Sequence, residues 1–516
     1  MITLITNGAP LNEISVKTLV GYMEYYHIPV RAIYLNGCER ISVRLMREIL
    51  ALTDDSLLVG FSLMSKDVSI LLPLIKRVRE EQGTHVVWGG IHPTALPEES
   101  LQHCDFVCIG EGEEPLRQLY QSIASHKSDY SDIPNIGYHE EGHIRLNPVT
   151  YSPKSLDDLP FPDYKFANSY YLQGFRKGRQ FERIPSDPVK KGQFFQLASF
   201  LFYSQRGCKL ACTYCSNSLY HRLARTTCVK WYRYASAERI KKELKSHLEN
   251  MPFIQSVGLN DDDLLERDIE QLEAIATFLK NDLYVTFNIN ATPLHVTSEK
   301  ISVLANYGLQ QVSMGVQSGS ERILRDVYKR PVKNAQVLEA GSIIRQFYDV
   351  GVRADYGFIL DNPFETNDDW RDSLRLLMRL PKPRTITLYS LAFFPGTALS
   401  EQALQRGFIQ SLASHFDKMY HDDIRSTYIY FLFLINAQFD VSDKWNFLLL
   451  SDVMMKYRIT FPLRYILGQS TQIYKAQTKV KHWIKSALPE SFLLFLMKSL
   501  LCGKDFLYNI FRLKRR

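Results

Sequence analysis

The sequence predicts an α/β protein with two wound parallel sheets followed by a helical C-terminal region. Unbroken apolar, β-branched runs alternate with amphipathic segments through residues 1–128, and the same alternation returns at 196–410. Strands that are apolar along their whole length are typical of sheets covered by helices on both faces. With 516 residues, 45% of them hydrophobic, the chain is long enough for two or three domains.

The first predicted domain, residues 1–128, is a doubly wound, Rossmann-like sheet. Its strands are expected at 2–6, 30–34, 57–63, 85–88 and 106–109, with helical segments such as 68–81 between them. Such sheets bind ligands at the carboxyl ends of their strands, where small residues leave room. Any doubly wound domain also needs glycine in these turns, so the glycines alone fit a purely structural role equally well. The loop residues of interest are Asn7, Ser62, Gly89, Gly90, His92, Gly110, Glu111 and Gly112.

Residues 129–195 lack clean periodicity, and the proline-punctuated stretch 155–164 predicts a linker between domains. From 196 to 410, strands are expected at 200–204, 253–258, 284–288, 311–316, 353–360 and 385–391. Six such units predict a partial (β/α)6 barrel, TIM-like but not closed, with its site at the carboxyl ends of the strands.

Three consecutive aspartates, Asp261, Asp262 and Asp263, follow the second strand of this barrel. Carboxylates in such a group can bind a metal ion. Helix capping and polar contacts near a cofactor use the same residue type and are favoured here.

Three cysteines lie within eight residues directly after the first barrel strand: Cys208, Cys212 and Cys215. Three thiolates on one loop can hold three irons of a [4Fe–4S] cluster and leave the fourth iron open. A zinc site is the first alternative, but it needs a fourth ligand, for which His221 and Cys228 are the nearest residues. A disulfide pair is the second, and it needs an oxidising compartment that nothing in the sequence indicates.

This Cys-x3-Cys-x2-Cys spacing, with an aromatic residue before the last cysteine, resembles the cluster loop of the radical SAM enzymes. The resemblance implies a [4Fe–4S] cluster on the three cysteines, with S-adenosylmethionine on the open iron. Segments 314–320 and 356–366 also resemble the family, although Asp361 and Phe364 stand where it usually has glycine. The S-adenosylmethionine contacts implied are Tyr214, Gly315, Gln317, Ser318 and Ile359.

The segments 88–94 and 110–113 resemble the N-terminal cobalamin-binding domain of one radical SAM subfamily. The eight loop residues given above would then contact cobalamin. The Asp-x-His-x-x-Gly segment that places a histidine on cobalt in many cobalamin proteins is absent. We therefore expect no cobalt ligand from that motif, and we expect His92 to hydrogen-bond backbone or cofactor.

By resemblance, the activity is formation of a 5′-deoxyadenosyl radical followed by methyl transfer from methylcobalamin to an unactivated carbon of a small-molecule substrate. A reductase, flavodoxin or ferredoxin would supply electrons. Alternatives are a cobalamin-dependent cyclase or oxidoreductase without methyl transfer and a non-enzymatic cluster or cobalamin carrier. A tRNA methylthiotransferase is disfavoured, because Cys38, Cys104 and Cys108 are poorly spaced for a second cluster.

The C-terminal region, residues 411–516, is predicted to be helical and apolar with a basic tail. Residues 474–516 contain ten Lys or Arg and two acidic residues, so the rest of the chain is close to neutral and no nucleic-acid partner is predicted. No apolar run reaches the roughly 20 residues that span a bilayer. Core-packing helices with a solvated tail are favoured over the alternative, peripheral contact with an anionic membrane. Membrane contact would suit an apolar or lipid-like substrate. Sparse cysteines and an N-terminus unlike a signal peptide predict a cytoplasmic protein.

Overall fold

The structure is a computed structural model that describes residues 1–173, 180–227 and 229–412, together with 429, 430, 432, 433 and 436. The chain divides into two compact units, Met1–Asp417 and Lys418–Arg516. The two sheets and the candidate site lie in the first unit. The predicted basic tail at 474–516, and with it the membrane contact, lies outside the described residues.

The first sheet has nine strands in the order β7-β6-β5-β4-β3-β1-β2-β8-β9. Neighbouring strands from β5 through β8 are parallel, and the outer pairs β5·β6, β6·β7 and β8·β9 are antiparallel. The strands are β1 (Ile2–Thr6), β2 (Val30–Tyr34), β3 (Leu58–Ser62), β4 (His85–Gly89), β5 (Phe106–Cys108), β6 (Ile136–Glu140), β7 (His143–Leu146), β8 (Ser169–Gln173) and β9 (Gln180–Arg183).

Helices connect the parallel strands of this sheet and cover them: α1 (Ser15–Tyr25), α2 (Val43–Thr53), α3 (Val68–Gln82), α4 (Ile91–Ala95), α5 (Pro97–Ser100), α6 (Glu113–Ala124) and α7 (Pro188–Phe195). The chain passes from β1 to β2 on one side and then returns to β3 on the other side of β1. This reversal confirms the doubly wound prediction and creates a crevice at the carboxyl ends of β1 and β3.

The predicted linker at 129–195 is wrong as a description of this segment. Four of its strands, β6 to β9, extend the first sheet at both edges. Leu172 of β8 packs in the core cluster of that sheet together with Ile33 and Phe61. These strands were missed because β7 is exposed at all four residues and the others lack a regular alternation of apolar residues.

The second sheet has six parallel strands in sequential order, β10-β13-β14-β15-β16-β17, as the partial-barrel prediction requires. A separate two-stranded pair, β11·β12, flanks it. The strands are β10 (Ser199–Phe202), β11 (Gln205–Arg206), β12 (Arg233–Tyr234), β13 (Ser256–Leu259), β14 (Thr286–Ala291), β15 (Leu309–Gln317), β16 (Arg353–Leu360) and β17 (Thr385–Ser390).

The helices of this half follow the strands: α8 (Asn217–Thr226), α9 (Ala237–Asn250), α10 (Ile269–Asn281), α11 (Ser298–Asn306), α12 (Asn334–Gln346), α13 (Asn367–Arg379) and α14 (Ala398–Gln405). Several of them begin at a capping side chain. Thr366, for example, accepts from the backbone N–H of Asp369, whose carboxylate bonds back to Thr366. Within the described part of the chain, no helix has both the length and the apolar character needed to cross a membrane.

Gly21 is a position where packing of α1 against the proline-rich segment forbids a side chain. A Cβ on this residue of α1 would lie 2.1 Å from the backbone oxygen of Phe161, in the proline-rich segment. We expect Gly21→Ala to destabilise the chain by at least about 2 kcal/mol, because a backbone atom must move. Ser69→Ala, at an exposed position of α3, is the matched control. Thermal unfolding followed by circular dichroism tests this; equal melting temperatures for the two variants would contradict it.

Candidate active site

A cavity of about 590 Å³ opens at the carboxyl ends of β1, β3, β4 and β5. Its opposite wall comes from the second half of the chain: the end of β10, the β11 segment, α8 and Trp231. Seven of the eight loop residues predicted from the sequence line it: Asn7, Ser62, Gly89, Gly90, Gly110, Glu111 and Gly112. The structure therefore brings together, on one surface, residues that are more than 100 positions apart.

Two adjacent glycines line this cavity, and each position has a different reason to be glycine. Gly90 has φ +97°, and a Cβ there would lie 2.8 Å from the backbone oxygen of Leu63, so the fold itself requires glycine. A Cβ on Gly89 would meet only the Cβ of Cys108 at 4.0 Å. Since protein packing leaves room at Gly89, the missing side chain widens the cavity for a ligand.

Asn7 positions the loop that follows β1. Its amide nitrogen donates to Asp67 Oδ1 at 2.8 Å and to the backbone oxygen of Cys38 at 3.2 Å, and its amide oxygen accepts from the Cys38 N–H. Both ends of the amide are thus engaged with protein. Asn7 borders the cavity but holds the loop in place rather than offering a free polar group.

His92 does not line the cavity, in contrast to the prediction that it contacts cobalamin. Its side chain is buried, and its Nδ1 is 3.1 Å from Ser65 Oγ. Burial lowers its pKa to about 4. It is therefore a neutral imidazole that joins the start of α4 to the loop after β3 through a side-chain hydroxyl, whereas the sequence predicted a hydrogen bond to backbone or cofactor.

Glu111 is held by protein cations, which sequence reasoning did not anticipate. Its Oε1 is 2.6 Å from Arg206 Nη1 and 2.6 Å from Arg233 Nη2. Arg206 also reaches Glu113 Oε1 at 2.6 Å through its other terminal nitrogen. We call Arg206, Arg233, Glu111 and Glu113 the seam cluster. It joins the carboxyl edge of the first sheet to the segment directly before the cysteines.

Trp231 supplies an unused hydrogen-bond donor to the wall opposite the glycines. The residue is 8% exposed, and its indole Nε1 is buried without a partner among the described residues. Its ring packs so close to Gly110 that a Cβ there would lie 2.5 Å from Cη2. Because a buried N–H without an acceptor is unfavourable, this geometry fits a ligand that carries amide oxygens at its edge.

The cysteine loop is fixed by backbone contacts around Thr213, in the middle of the loop. The Thr213 N–H donates to the oxygen of Tyr328 at 2.9 Å, and its hydroxyl donates to the oxygen of Val327 at 2.6 Å. The Leu399 N–H donates to the oxygen of Thr213. The turns after β15 and β17 thus hold the loop at the carboxyl end of the second sheet.

The protonation of the cysteines depends on a positive partner. Burial raises the pKa of Cys208 to about 12 and that of Cys215 to about 11, so both are neutral thiols near pH 7 until a metal group displaces their protons. Cys212 accepts from Arg330 Nη1 at 3.7 Å, and Arg330 Nη2 donates to the Gly315 oxygen at 2.9 Å. A guanidinium beside one sulfur suits a loop that carries thiolates.

The zinc alternative finds little support in this geometry. Within the described residues, the set of three metal-binding side chains whose ligand atoms lie within 4.8 Å of one another does not include these cysteines. Sulfurs on one zinc ion would be about 4 Å apart. Of the two fourth ligands considered, His221 bonds through Nε2 to the Cys208 oxygen at 2.7 Å, and Cys228 lies outside the described residues.

The five residues predicted to contact S-adenosylmethionine lie in three different surroundings. Gly315 lies beside Arg330, and a Cβ on it would be 2.6 Å from Gln317 Nε2. Tyr214 and Ile359 belong to one apolar cluster next to the cysteine loop. Ser318 is buried and bonded to Glu365 and Ser373, so it fastens β15 to α13 rather than facing a ligand.

The sequence reasoning missed Arg206, Trp231 and Arg330. Each acts through a partner distant in sequence: Arg206 pairs with Glu111, and Arg330 contacts Cys212. One local signal existed for Arg206, a charged residue placed between an apolar strand and a glycine turn. For Trp231 and Arg330 the sequence offers no comparable signal.

The seam cluster makes a testable contribution to stability. Arg206→Lys keeps the charge but loses the planar fork that contacts two carboxylates at once, leaving buried Glu113 without its partner. We expect a loss of about 3 kcal/mol. Arg222→Lys is the control, because Arg222 and Glu401 form an exposed ion pair that contributes about 0.5 kcal/mol. Chemical unfolding of both variants measures the difference, and similar small effects would show that the seam cluster is not a strong contact.

Two family models match the two halves of the described structure. The model described as "B12 binding domain" matches residues 13–120, and the model described as "Radical SAM superfamily" matches residues 202–377. Among curated relatives, the uncharacterized methyltransferase PH0819 of Pyrococcus horikoshii is 23% identical over 351 residues, which is 67% of this chain and 68% of that protein.

Two solved structures share the fold. The cobalamin-dependent S-adenosylmethionine radical enzyme OxsB has a TM-score of 0.62 at 15% identity, over 99% of this chain and 80% of that one. The radical S-adenosylmethionine methyltransferase TsrM of Kitasatospora setae has a TM-score of 0.60 at 15% identity, over 78% and 76%. With a B12-binding domain and a radical SAM domain placed edge to edge in one chain, this protein belongs to the cobalamin-binding radical SAM family.

Proposed function

We propose that this chain is a radical SAM enzyme that uses cobalamin to transfer a methyl group to a carbon atom of a small molecule. One observation carries the proposal. The cavity lined by the glycine loops of the first sheet continues to Gly207, the residue directly before Cys208. A ligand on the first sheet and a cluster on the cysteine loop would therefore lie next to each other. The methyltransferase names of PH0819 and TsrM support the same reaction type.

Each cofactor has residues that suit it. Cys208, Cys212 and Cys215 would hold a [4Fe–4S] cluster, and Gly315, Gln317, Tyr214 and Ile359 would border S-adenosylmethionine. Gly89, Gly110, Ser62 and Trp231 would border cobalamin. When bound, these groups supply an electron, a radical precursor and a methyl donor, and the protein contributes position and exclusion of water.

The wall of the cavity supports the choice of a small, partly apolar substrate. Phe202, Tyr203 and Tyr220 border it beside Trp231, and Leu63 borders it from the first sheet. Apolar walls favour burial of carbon-rich groups and keep water from reactive species. The cluster also requires an electron donor, for which a flavodoxin or ferredoxin is the natural class.

Labelled methyl groups test the proposed reaction. Anaerobically reconstituted protein would be incubated with cobalamin, a strong reductant, methyl-deuterated S-adenosylmethionine and a metabolite extract of the source cells. We expect 5′-deoxyadenosine together with a small molecule that carries the deuterated methyl group, both detected by mass spectrometry. Cys212→Ala should abolish both products, whereas Cys104→Ala, at a buried cysteine of the first sheet, should retain them.

The other outcomes of that experiment are equally informative. Production of 5′-deoxyadenosine without a labelled product would contradict methyl transfer and favour the cyclase or oxidoreductase alternative. Reconstituted protein that binds cobalamin but never cleaves S-adenosylmethionine would favour a carrier.

Trp231 offers a test of where cobalamin binds. Trp231→Phe keeps an aromatic ring at this position but removes the N–H, so we expect the affinity for hydroxocobalamin to fall about fivefold, the value of one net hydrogen bond. Trp88→Phe is a closely matched control, because Trp88 is also buried, its Nε1 has no partner in the part of the chain that the structure describes, and it does not line the cavity. Equilibrium dialysis gives both constants. Equal affinities for the two variants would place cobalamin away from Trp231.

A further inference from the structure

A second group of metal-ligating side chains lies apart from the cysteines, on the same face of the second sheet. Asp263, Glu266 and His295 each present a ligand atom, and these atoms all lie within 4.8 Å of one another. Asp263 and Glu266 follow β13, and His295 follows the neighbouring strand β14. Parallel strands end at one edge, so residues of successive loops meet there.

Local structure explains why the two carboxylates face the same way. Asp263 precedes a single 3-10 turn, Leu264–Glu266, and residues three apart in such a turn are eclipsed. A second 3-10 turn, Pro293–His295, brings the imidazole alongside. His295 Nδ1 is 2.7 Å from Asp263 Oδ2.

The three consecutive aspartates have different neighbours, and this separates Asp263 from the others. Asp261 accepts from the backbone N–H and the hydroxyl of Ser204, and Arg267 is 3.8 Å away. Asp262 accepts from Asn217 Nδ2 at 2.9 Å. Asp263 Oδ1, in contrast, is buried and has no hydrogen-bond donor among the described residues, on a side chain only 2% exposed.

The charges around Asp263 are incompletely balanced by protein. The Glu266 side chain is 4% exposed and accepts from the Tyr232 hydroxyl. The ammonium of Lys209 is 3.9 Å from Glu266 Oε2, but that lysine is 58% exposed, and solvent screens such a contact. Hydrogen bonding to Asp263 raises the pKa of His295. Two buried carboxylates thus face one imidazole, and a bound cation would balance their negative charge.

We propose that Asp263, Glu266 and His295 bind one divalent transition-metal ion, separate from the iron–sulfur cluster. Two carboxylates and one imidazole suit Mn²⁺, Fe²⁺ or Zn²⁺, and three protein ligands leave coordination positions open. Asp263 Oδ1 would gain the partner it lacks. The site borders the cysteine loop, because Lys209 follows Cys208 and Asp262 bonds to Asn217, two residues after Cys215.

Mn²⁺ is the probe for this site, because binding removes the electron paramagnetic resonance signal of the free aqueous ion. Full-length protein with an oxidised cluster would be titrated anaerobically with Mn²⁺ alone. We expect one bound ion per chain, and at least about tenfold weaker binding for Asp263→Asn and for His295→Gln. Asp262→Asn is the matched control, since it changes the adjacent, exposed carboxylate, which bonds to Asn217, and should leave Mn²⁺ affinity unchanged.

A second measurement needs no variant and so does not depend on their folding. X-ray absorption at the zinc edge of wild-type protein loaded with one Zn²⁺ should show nitrogen and oxygen neighbours. Sulfur neighbours, which would place the ion on the cysteines, would overturn the proposal. So would failure of the wild type to bind Mn²⁺, or Mn²⁺ affinities of Asp263→Asn and His295→Gln equal to that of the wild type. None of these results bears on S-adenosylmethionine cleavage, so the proposed function stands or falls separately.

Discussion

The contact on which the rest of the structure depends is the seam cluster between the two sheets. Glu111 and Glu113 follow β5 of the first sheet, and Arg206 lies two residues before Cys208. Glu113 is only 4% exposed, and Glu111 is 10% exposed. A shift that moved Arg206 away while these carboxylates stayed buried would leave Glu113 without its cation, which is strongly unfavourable. The distance between the glycine loops and the cysteine loop is therefore held by charge.

This constraint explains the form of the cavity. One wall consists of backbone at Gly89, Gly90 and Gly110, and the other consists of aromatic rings, of which Trp231 touches Gly110. Because reactions between bound groups depend steeply on their separation, a rigid seam is what such a site requires.

The sequence predicted those parts of the fold that depend on local pattern. Apolar runs gave the central strands of both sheets and all six strands of the partial barrel, because buried parallel strands need no partner information to be recognised. The spacing of Cys208, Cys212 and Cys215 likewise lies within one loop. The strands β6 to β9 were missed because β7 is exposed throughout and the other three lack a regular alternation of apolar residues.

Side-chain roles that depend on tertiary contacts could not be predicted. Glu111 was expected to face a cofactor, yet its partner Arg206 is 95 residues away and nothing near Glu111 indicates it. Ser318 stands in a segment that resembles a ligand-binding motif, but its hydroxyl is bonded to α13. His92 bonds to Ser65 across the loop after β3. In each case the polar residue lies at a strand end, as predicted, but its side chain bonds to a residue of another segment of the fold.

The balance of charge distinguishes clusters whose charges are neutralised by protein groups from clusters whose charges a ligand would neutralise. In the seam cluster each carboxylate has a guanidinium at 2.6 Å, and the group is close to neutral without help. Around the cysteines, burial keeps two thiols protonated, and Arg330 contacts one sulfur at 3.7 Å. Near Asp263, two buried carboxylates meet one imidazole and a screened lysine. Because buried charge without a partner is unfavourable, the guanidinium beside neutral thiols and the two carboxylates near Asp263 leave these two clusters electrostatically incomplete. Their common position at the carboxyl ends of the second sheet is therefore a reason to treat that face as the ligand-binding surface of this half of the chain.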